Sequence, residues 1–215
     1  MKKSKVLITV LCVVLLVIVS VLGTLAYLTS QDEVVNTFTV GKVNISLDEA
    51  AVNADGTEIA GADRVKENNY HLIPGQTYVK DPTLTVKAKS EDSYVRMLLT
   101  LNCADEFDAI YAPDKADLTK IFNGYDATNW VYETVTRDTA KNTITYEFRY
   151  KEIVTKSATD TKLDALFDSI TVPSTFDSND MASIADLKIT VIGHAIQATG
   201  FADADTAWTT FNAQI

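Results

Sequence analysis

The chain has 215 residues, 29 of them acidic and 19 basic, which gives a formal net charge of −10 at pH 7. The first 26 residues carry three lysines and no acidic residue, so the remainder has a formal charge of −13. A nucleic-acid-binding protein needs a basic surface, and this composition excludes that class. The 189 residues after position 26 suit one domain with a sizeable core.

The N-terminal segment has the layout of a secretory signal. Three lysines within the first five residues precede an almost unbroken apolar run over 6–22, and small residues follow it. Signal peptides share this order of basic, apolar and small residues, and the small residues mark the cleavage site. Thr24 and Ala26 fit the −3 and −1 positions, so we expect cleavage between Ala26 and Tyr27. The alternative is a retained membrane anchor, since the apolar run is about as long as a short membrane helix.

After residue 26 the sequence alternates repeatedly between apolar and polar residues. A period of two predicts half-buried strands. Gly193 interrupts the last alternation, which predicts a β-bulge. The polar stretch 53–69 is expected to form a long exposed loop. The segments that read as strands are 36–47, 83–88, 94–101, 130–137, 143–150, 168–172 and 186–197.

Helical patterns are few and short. Apolar residues with helical spacing predict short helices over 117–122 and 161–167. Near the C-terminus, Ala204, Ala207, Trp208 and Phe211 predict a third helix, which Asp203 can cap. Many short strands with helices confined to the connections indicate an all-β protein, a jelly-roll-like β-sandwich preceded by an N-terminal signal helix. We expect two parts, a signal peptide at 1–26 and a single sandwich domain at 27–215.

No pattern for catalysis, cofactor binding or a metal site is present in the sequence. The two histidines, His71 and His194, are far apart, and no His-Glu-x-x-His, Gly-x-Ser-x-Gly or phosphate-loop motif occurs. We therefore assign no catalytic, cofactor or metal residue and expect a non-enzyme. Acidic pairs such as Asp48-Glu49 are interpreted as solvated turn carboxylates, with weak calcium binding as the alternative. Cys103, the one cysteine after residue 26, is either a buried inert thiol or a thiol that crosslinks subunits.

Several short motifs are spread along the chain in order from residue 23 to residue 208. They are Gly23-Thr24-Leu25-Ala26-Tyr27-Leu28-Thr29, Asn36-Thr37-Phe38-Thr39-Val40-Gly41-Lys42-Val43, Leu72-Ile73-Pro74-Gly75 with Val79-Lys80-Asp81-Pro82, Tyr94-Val95-Arg96, and Ala195-Ile196-Gln197-Ala198 with Gly200-Phe201 and Ala207-Trp208. Together these motifs resemble the TasA/camelysin family of exported proteins that a dedicated signal peptidase processes. The long segment between Asn102 and Val172 carries no such match.

The resemblance implies a jelly-roll subunit of biofilm-matrix fibres, located in the extracellular matrix or at the cell surface of a bacterium. Its partners would be further copies of the chain and, during export, the signal peptidase. Such fibres grow by donor-strand exchange, in which an N-terminal strand of one subunit joins the sheet of the next. The candidate donor is 27–40, which alternatively forms the first strand of its own sandwich. Its apolar anchors are Val34, Val35, Phe38 and Val40.

Two other functions remain open from the sequence. The first is a monomeric surface adhesin or ligand-binding sandwich, in which Tyr111, Tyr125 and Trp130 would line a sugar or peptide site. The second is a camelysin-like metalloprotease. A catalytic zinc site needs three good protein ligands plus a water, and two scattered histidines with one cysteine supply few of them.

Overall fold

A computed structural model of the chain describes residues 5, 10–16, 41–106 and 122–214. The chain divides into two units, Met1–Val40 and Gly41–Ile215. In the first unit, residues 10–16 are helical and exposed. Among the described residues, no helix is long and apolar enough to cross a membrane.

The second unit is mostly β, with antiparallel sheets and few short helices, as in an all-β sandwich. The predicted fold class is confirmed at this level. The strands are β1 (Ile45–Asp48), β2 (Thr77–Val79), β3 (Thr83–Val86), β4 (Ser93–Asn102), β5 (Phe122–Asn123), β6 (Trp130–Asp138), β7 (Thr143–Tyr150), β8 (Thr161–Lys162), β9 (Ser169–Thr171) and β10 (Ile189–Gln197), and the helices are α1 (Ser178–Ser183) and α2 (Ala204–Asn212).

The largest sheet has four strands in the order β10-β4-β7-β6, all antiparallel. Its central strands alternate as their sequences predict, because successive side chains of a strand point to opposite faces. The inner face is apolar and almost fully buried. It carries Val95, Met97, Leu99 and Leu101 of β4 and Ile144, Tyr146 and Phe148 of β7.

Two three-stranded sheets, in the orders β1-β3-β8 and β2-β9-β5, contribute to the same core. Leu84 of β3 and Tyr78 of β2 belong to one buried cluster with Met97. Phe122 of β5 meets Tyr146 edge to face, with ring centroids 6.5 Å apart. The core therefore lies between the inner face of the four-stranded sheet and the two smaller sheets.

Three local predictions need correction or completion. The helix expected over 161–167 is wrong, because Thr161–Lys162 pairs with β3 and the next residues run in irregular backbone beside it. Leu163, Leu166 and Phe167 are nonetheless buried, so their spacing reflects the core and not a helix. The helix expected over 117–122 lies largely outside the described residues, and its last residue, Phe122, begins β5.

The bulge expected at Gly193 is also wrong, since β10 pairs with β4 in unbroken register from Ile189 to Gln197. The irregularity in this sheet lies in β6, between Tyr132 and Thr134. The C-terminal helix is confirmed, and the Asp203 side chain accepts a hydrogen bond from the Thr206 N–H at 2.8 Å.

Candidate assembly interface

The β10 strand is the longest regular edge of the sandwich. Within the described residues it pairs with β4 alone, so one side of its nine-residue backbone has no sheet partner there. Its sequence is Ile-Thr-Val-Ile-Gly-His-Ala-Ile-Gln, with His194 as its one ionisable side chain. An unpaired edge strand is a template for pairing with another chain.

Hydrogen bonds at both ends of the β10–β4 ladder define which groups face the open side. The Asn102 N–H donates to the Lys188 carbonyl at 3.3 Å, and the Ala198 N–H donates to the Asp92 carbonyl at 2.6 Å. Bonded and non-bonded pairs alternate along an antiparallel ladder, so even-numbered residues of β10 bond β4. The N–H and C=O groups directed to the open side belong to Ile189, Val191, Gly193, Ala195 and Gln197.

The core is only partly covered along this edge. The β4 residues opposite β10 are buried, whereas the inward-facing residues of β10 stay partly exposed. Across the sandwich, Ile45 and Leu47 of the edge strand β1 are partly buried against the same core. Apolar side chains of an added strand could therefore pack against the partly exposed apolar residues at this edge. The inward-facing residues are Ile189, Val191, Gly193 and Ala195.

Gly193 sets the spacing between β10 and the facing sheet. A Cβ at this position would lie 2.7 Å from Leu84 Cδ1 and 3.6 Å from Ile45 Cδ1. A side chain here would force the buried Leu84 to shift, so glycine suits this approach. The glycine that sequence reasoning assigned to a bulge therefore serves close packing.

The other edge strand of the four-stranded sheet, β6, is irregular and carries charged residues. The β6 strand contains the bulge between Tyr132 and Thr134 and carries Glu133, Arg137 and Asp138. Bulges and charged side chains are the devices that protect an edge from pairing with another chain. The remaining edges are strands of two to four residues. Among the described strands, β10 is thus the one that is long, regular and nearly uncharged.

The outer face of the sheet is partly covered by α2, and Arg96 is the centre of that contact. Its side chain lies on β4 and is 2% exposed. Its guanidinium lies 4.4 Å from the centre of the Trp208 ring and 5.2 Å from that of Phe211. It also donates a hydrogen bond of 2.6 Å to Asn212 Oδ1. Stacking on aromatic rings offsets part of the cost of burying this cation.

His194 and Glu147 flank Arg96 on the neighbouring strands. The Arg96 Nε–H donates to His194 Nδ1 at 3.2 Å, and Glu147 Oε2 lies 3.5 Å from the guanidinium. Burial and the positive charge of Arg96 lower the pKa of His194, although Glu147 acts in the opposite direction. The neutral imidazole therefore accepts from Arg96 while α2 is docked. Sequence reasoning missed this cluster, and its one signal was an arginine within an otherwise apolar strand.

The residues that the sequence assigned to processing and to the donor strand lie outside the described residues. These positions are Ala26, Tyr27, Val34, Val35, Phe38 and Val40. The candidate aromatic ligand site is only partly described, because Tyr111 is also outside. Trp130 is buried in the core, and the Tyr125 hydroxyl donates to its carbonyl at 2.9 Å. These two aromatic rings pack with the core instead of lining a surface site.

The acidic pair Asp48-Glu49 is not solvated as the sequence suggested. Asp48 Oδ1 accepts from Arg64 Nε at 2.5 Å, and Arg64 also binds Asp81. Glu49 is 8% exposed and pairs with Lys80. The Arg64 contacts attach the mostly exposed 53–69 loop to the sandwich. Sequence alone could not find these ion pairs, since the partners lie 16 to 31 positions away.

Cys103 is half-buried at the end of β4 and has a φ of +57°. Burial raises the pKa of its thiol, and the nearby carboxylates of Glu106 and Asp186 add to this effect. A thiol of this kind reacts slowly, because the thiolate is the nucleophile.

In the described ranges, no three histidine, cysteine, aspartate or glutamate side chains are grouped as a metal site requires. The chain matches no protein-family model, no curated protein and no solved structure. The feature of the described structure that indicates a function is the open β10 edge, which can bind another strand.

Proposed function

We propose that this chain is the exported subunit of an extracellular bacterial fibre, a relative of the TasA/camelysin family that assembles head to tail by donor-strand exchange. The observation that carries the proposal is the open β10 edge, with outward backbone groups and partly exposed apolar side chains on one strand. Strand addition uses these two features together, since main-chain hydrogen bonds give affinity and alternate side chains give register.

The donor in this proposal is segment 27–40 of another copy. Val34, Phe38 and Val40 have the same parity, so a strand over this segment directs all three to one face. That face would complete the core beside Val191 and Ala195. A head-to-tail contact of this kind does not close on itself, so it propagates into a filament.

Export is part of the same proposal. Residues 1–26 act as the signal peptide, and cleavage between Ala26 and Tyr27 frees the donor segment. The sandwich is then a jelly-roll variant that is finished by a strand from its neighbour. The net charge of −13 after residue 26 makes subunits repel one another, so added salt should favour assembly.

A matched pair of proline variants tests the edge. Val191→Pro removes an N–H that faces the open side of β10. Val135→Pro removes the corresponding N–H of β6. Bonded and non-bonded pairs alternate between β6 and β7, and Thr136 forms a bonded pair with Thr145, so the N–H of the adjacent Val135 faces away from the sheet. Both residues are core-facing valines on edge strands, and proline is tolerated where the N–H faces away from the sheet.

The full chain and both variants are expressed with their leader, recovered from the culture medium and viewed by negative-stain electron microscopy. We expect filaments from the parent chain and from Val135→Pro, and folded single particles from Val191→Pro. A chain that lacks 27–40 should also remain as single particles. Equal assembly of the two proline variants would exclude β10 as the acceptor. Single particles from every form, the parent chain included, would reject the fibre proposal and favour the adhesin alternative.

A further inference from the structure

A lysine, a glutamate and an asparagine meet beneath the 53–69 loop, away from the β10 edge. Lys80 follows β2, Glu49 follows β1, and Asn68 lies at the end of the loop. Lys80 Nζ is 2.6 Å from Glu49 Oε2, and Asn68 Nδ2 donates to Glu49 Oε1 at 3.0 Å. Both side chains therefore bind one carboxylate, each at a different oxygen.

The ion pair of this cluster is nearly closed to solvent, and Asn68 is partly buried. Lys80 is 6% exposed and Glu49 is 8% exposed. The Tyr70 ring centre lies 6.0 Å from Lys80 Nζ, and that ring meets Tyr78 edge to face. A buried ion pair is costly to desolvate, so a reaction that replaces both charges with uncharged groups would relieve that cost.

Backbone groups orient the Asn68 amide for attack. Its Oδ1 accepts from the Val52 N–H at 3.1 Å, and its Nδ2 also donates to the Ala50 carbonyl at 2.8 Å. The Val52 N–H thus faces the oxygen on which negative charge would develop if a nucleophile added to the side-chain carbonyl. A preorganised donor at that position stabilises a tetrahedral intermediate.

We propose that Lys80 and Asn68 form an intramolecular isopeptide bond, with Glu49 as the acid–base catalyst and ammonia as the product. Lys80 passes one proton to Glu49 Oε2, and the neutral Nζ attacks Asn68 Cγ. The carbonyl electron pair moves to Oδ1, where the Val52 N–H donates. Collapse of this intermediate breaks the Cγ–Nδ2 bond as Glu49 gives its proton to Nδ2, which leaves as ammonia.

The protons balance without any further reactant. Of the three ammonium protons of Lys80, one leaves with the ammonia, one ends on Glu49 and one stays on the new amide. In this proposal Glu49 replaces an external catalyst, because it binds both reacting side chains and so makes their reaction intramolecular. The bond would join the 53–69 loop covalently to the end of β2, in a domain where no disulfide occurs among the described residues.

Mass spectrometry of the tryptic peptides of the full chain tests the bond. Lys66 and Lys87 delimit a peptide over 67–87 that contains both partners, and trypsin cannot cleave after an acylated Lys80. We expect this peptide intact, one ammonia lighter than its sequence, and without fragment ions from breaks between Asn68 and Lys80. The exposed pair Lys87–Asp160, 3.0 Å apart, is an internal control that should stay unmodified.

Three variants separate the roles. Glu49→Gln and Lys80→Arg should release the normal peptides 67–80 and 81–87 with no loss of mass. Asn68→Asp should change the lost molecule from ammonia to water, which a merely structural contact would not do. Normal peptides from the parent chain would overturn the proposal without reference to any variant. A bond that persists in Glu49→Gln would overturn the role of Glu49. None of these readouts depends on fibre assembly.

Discussion

Docking of α2 onto the outer face of the sheet should depend mainly on Trp208. This side chain is 1% exposed, and its ring packs on the Arg96 guanidinium and meets Phe211 edge to face at 5.6 Å. Truncating a buried tryptophan to alanine typically costs about 3–5 kcal/mol, of which the cation–π contact supplies about 1–2 kcal/mol. We therefore expect Trp208→Ala to lower the free energy of unfolding by about 3–5 kcal/mol.

The assay is urea denaturation followed by far-ultraviolet circular dichroism, since removing a tryptophan alters the fluorescence signal. A loss of this size lowers Tm by roughly 10 °C for a domain of this length. The control is Thr209→Ala, an exposed neighbour on the same helix, which should change stability by less than about 0.5 kcal/mol. A decrease in the free energy of unfolding below about 1 kcal/mol for Trp208→Ala would show that contacts other than the tryptophan hold α2 on the sheet.

Three further predictions concern charge and reactivity. Burial and Arg96 hold the pKa of His194 below its ordinary value, so the unfolded state takes up its proton first as the pH falls. The free energy of unfolding should therefore decline below about pH 6.5. Denaturation curves measured across pH should show a smaller decline for His194→Gln, because the contribution of this histidine is lost. The raised pKa of Cys103 predicts alkylation several-fold slower than for free cysteine near pH 8, with the difference abolished in urea, as followed by mass. Arg64→Ala should increase hydrogen exchange of 53–69 several-fold, since two carboxylates lose their partner.

The strands of the large sheet were predictable because each is long and buried on one face. In β7 the alternation of Ile144, Tyr146 and Phe148 with polar residues leaves one arrangement that buries the apolar set. Helix α2 was predictable for a similar reason, since Asp203 and the apolar stripe give consistent signals. Where a period is sustained over eight or more residues, the local pattern and the final burial agree.

Short segments were not predictable, because apolar spacing over seven residues fits more than one backbone. Leu163, Leu166 and Phe167 have helical spacing, yet they reach the core from an irregular run that follows a two-residue strand. Gly193 likewise fits a bulge or a close approach; the unbroken pairing with β4 excludes the bulge, and Leu84 makes the close approach. These outcomes depend on neighbours that are distant in the sequence.

The polar clusters were the least predictable part of the structure. Lys80 and Glu49 lie 31 positions apart, and Arg96 and Asn212 lie 116 positions apart. In the sequence, each of these clusters appears only as a charged residue next to a strand. Solvated turns have the same pattern, so the pattern does not identify a buried cluster. The open β10 edge was similarly hidden, since strand order cannot be read from an alternating pattern.

In the proposed assembly, segment 27–40 of one copy pairs with β10 of another. The most direct measurement replaces Phe38 in the full chain with the photoreactive p-benzoylphenylalanine and irradiates the exported protein under assembling conditions. We predict crosslinked species of two or more chains, with adducts mapped by mass spectrometry to Ile189–Gln197 or to the facing β1. Adducts confined to single chains, or adducts between chains at positions outside both strands, would contradict the proposed pairing of segment 27–40 with β10.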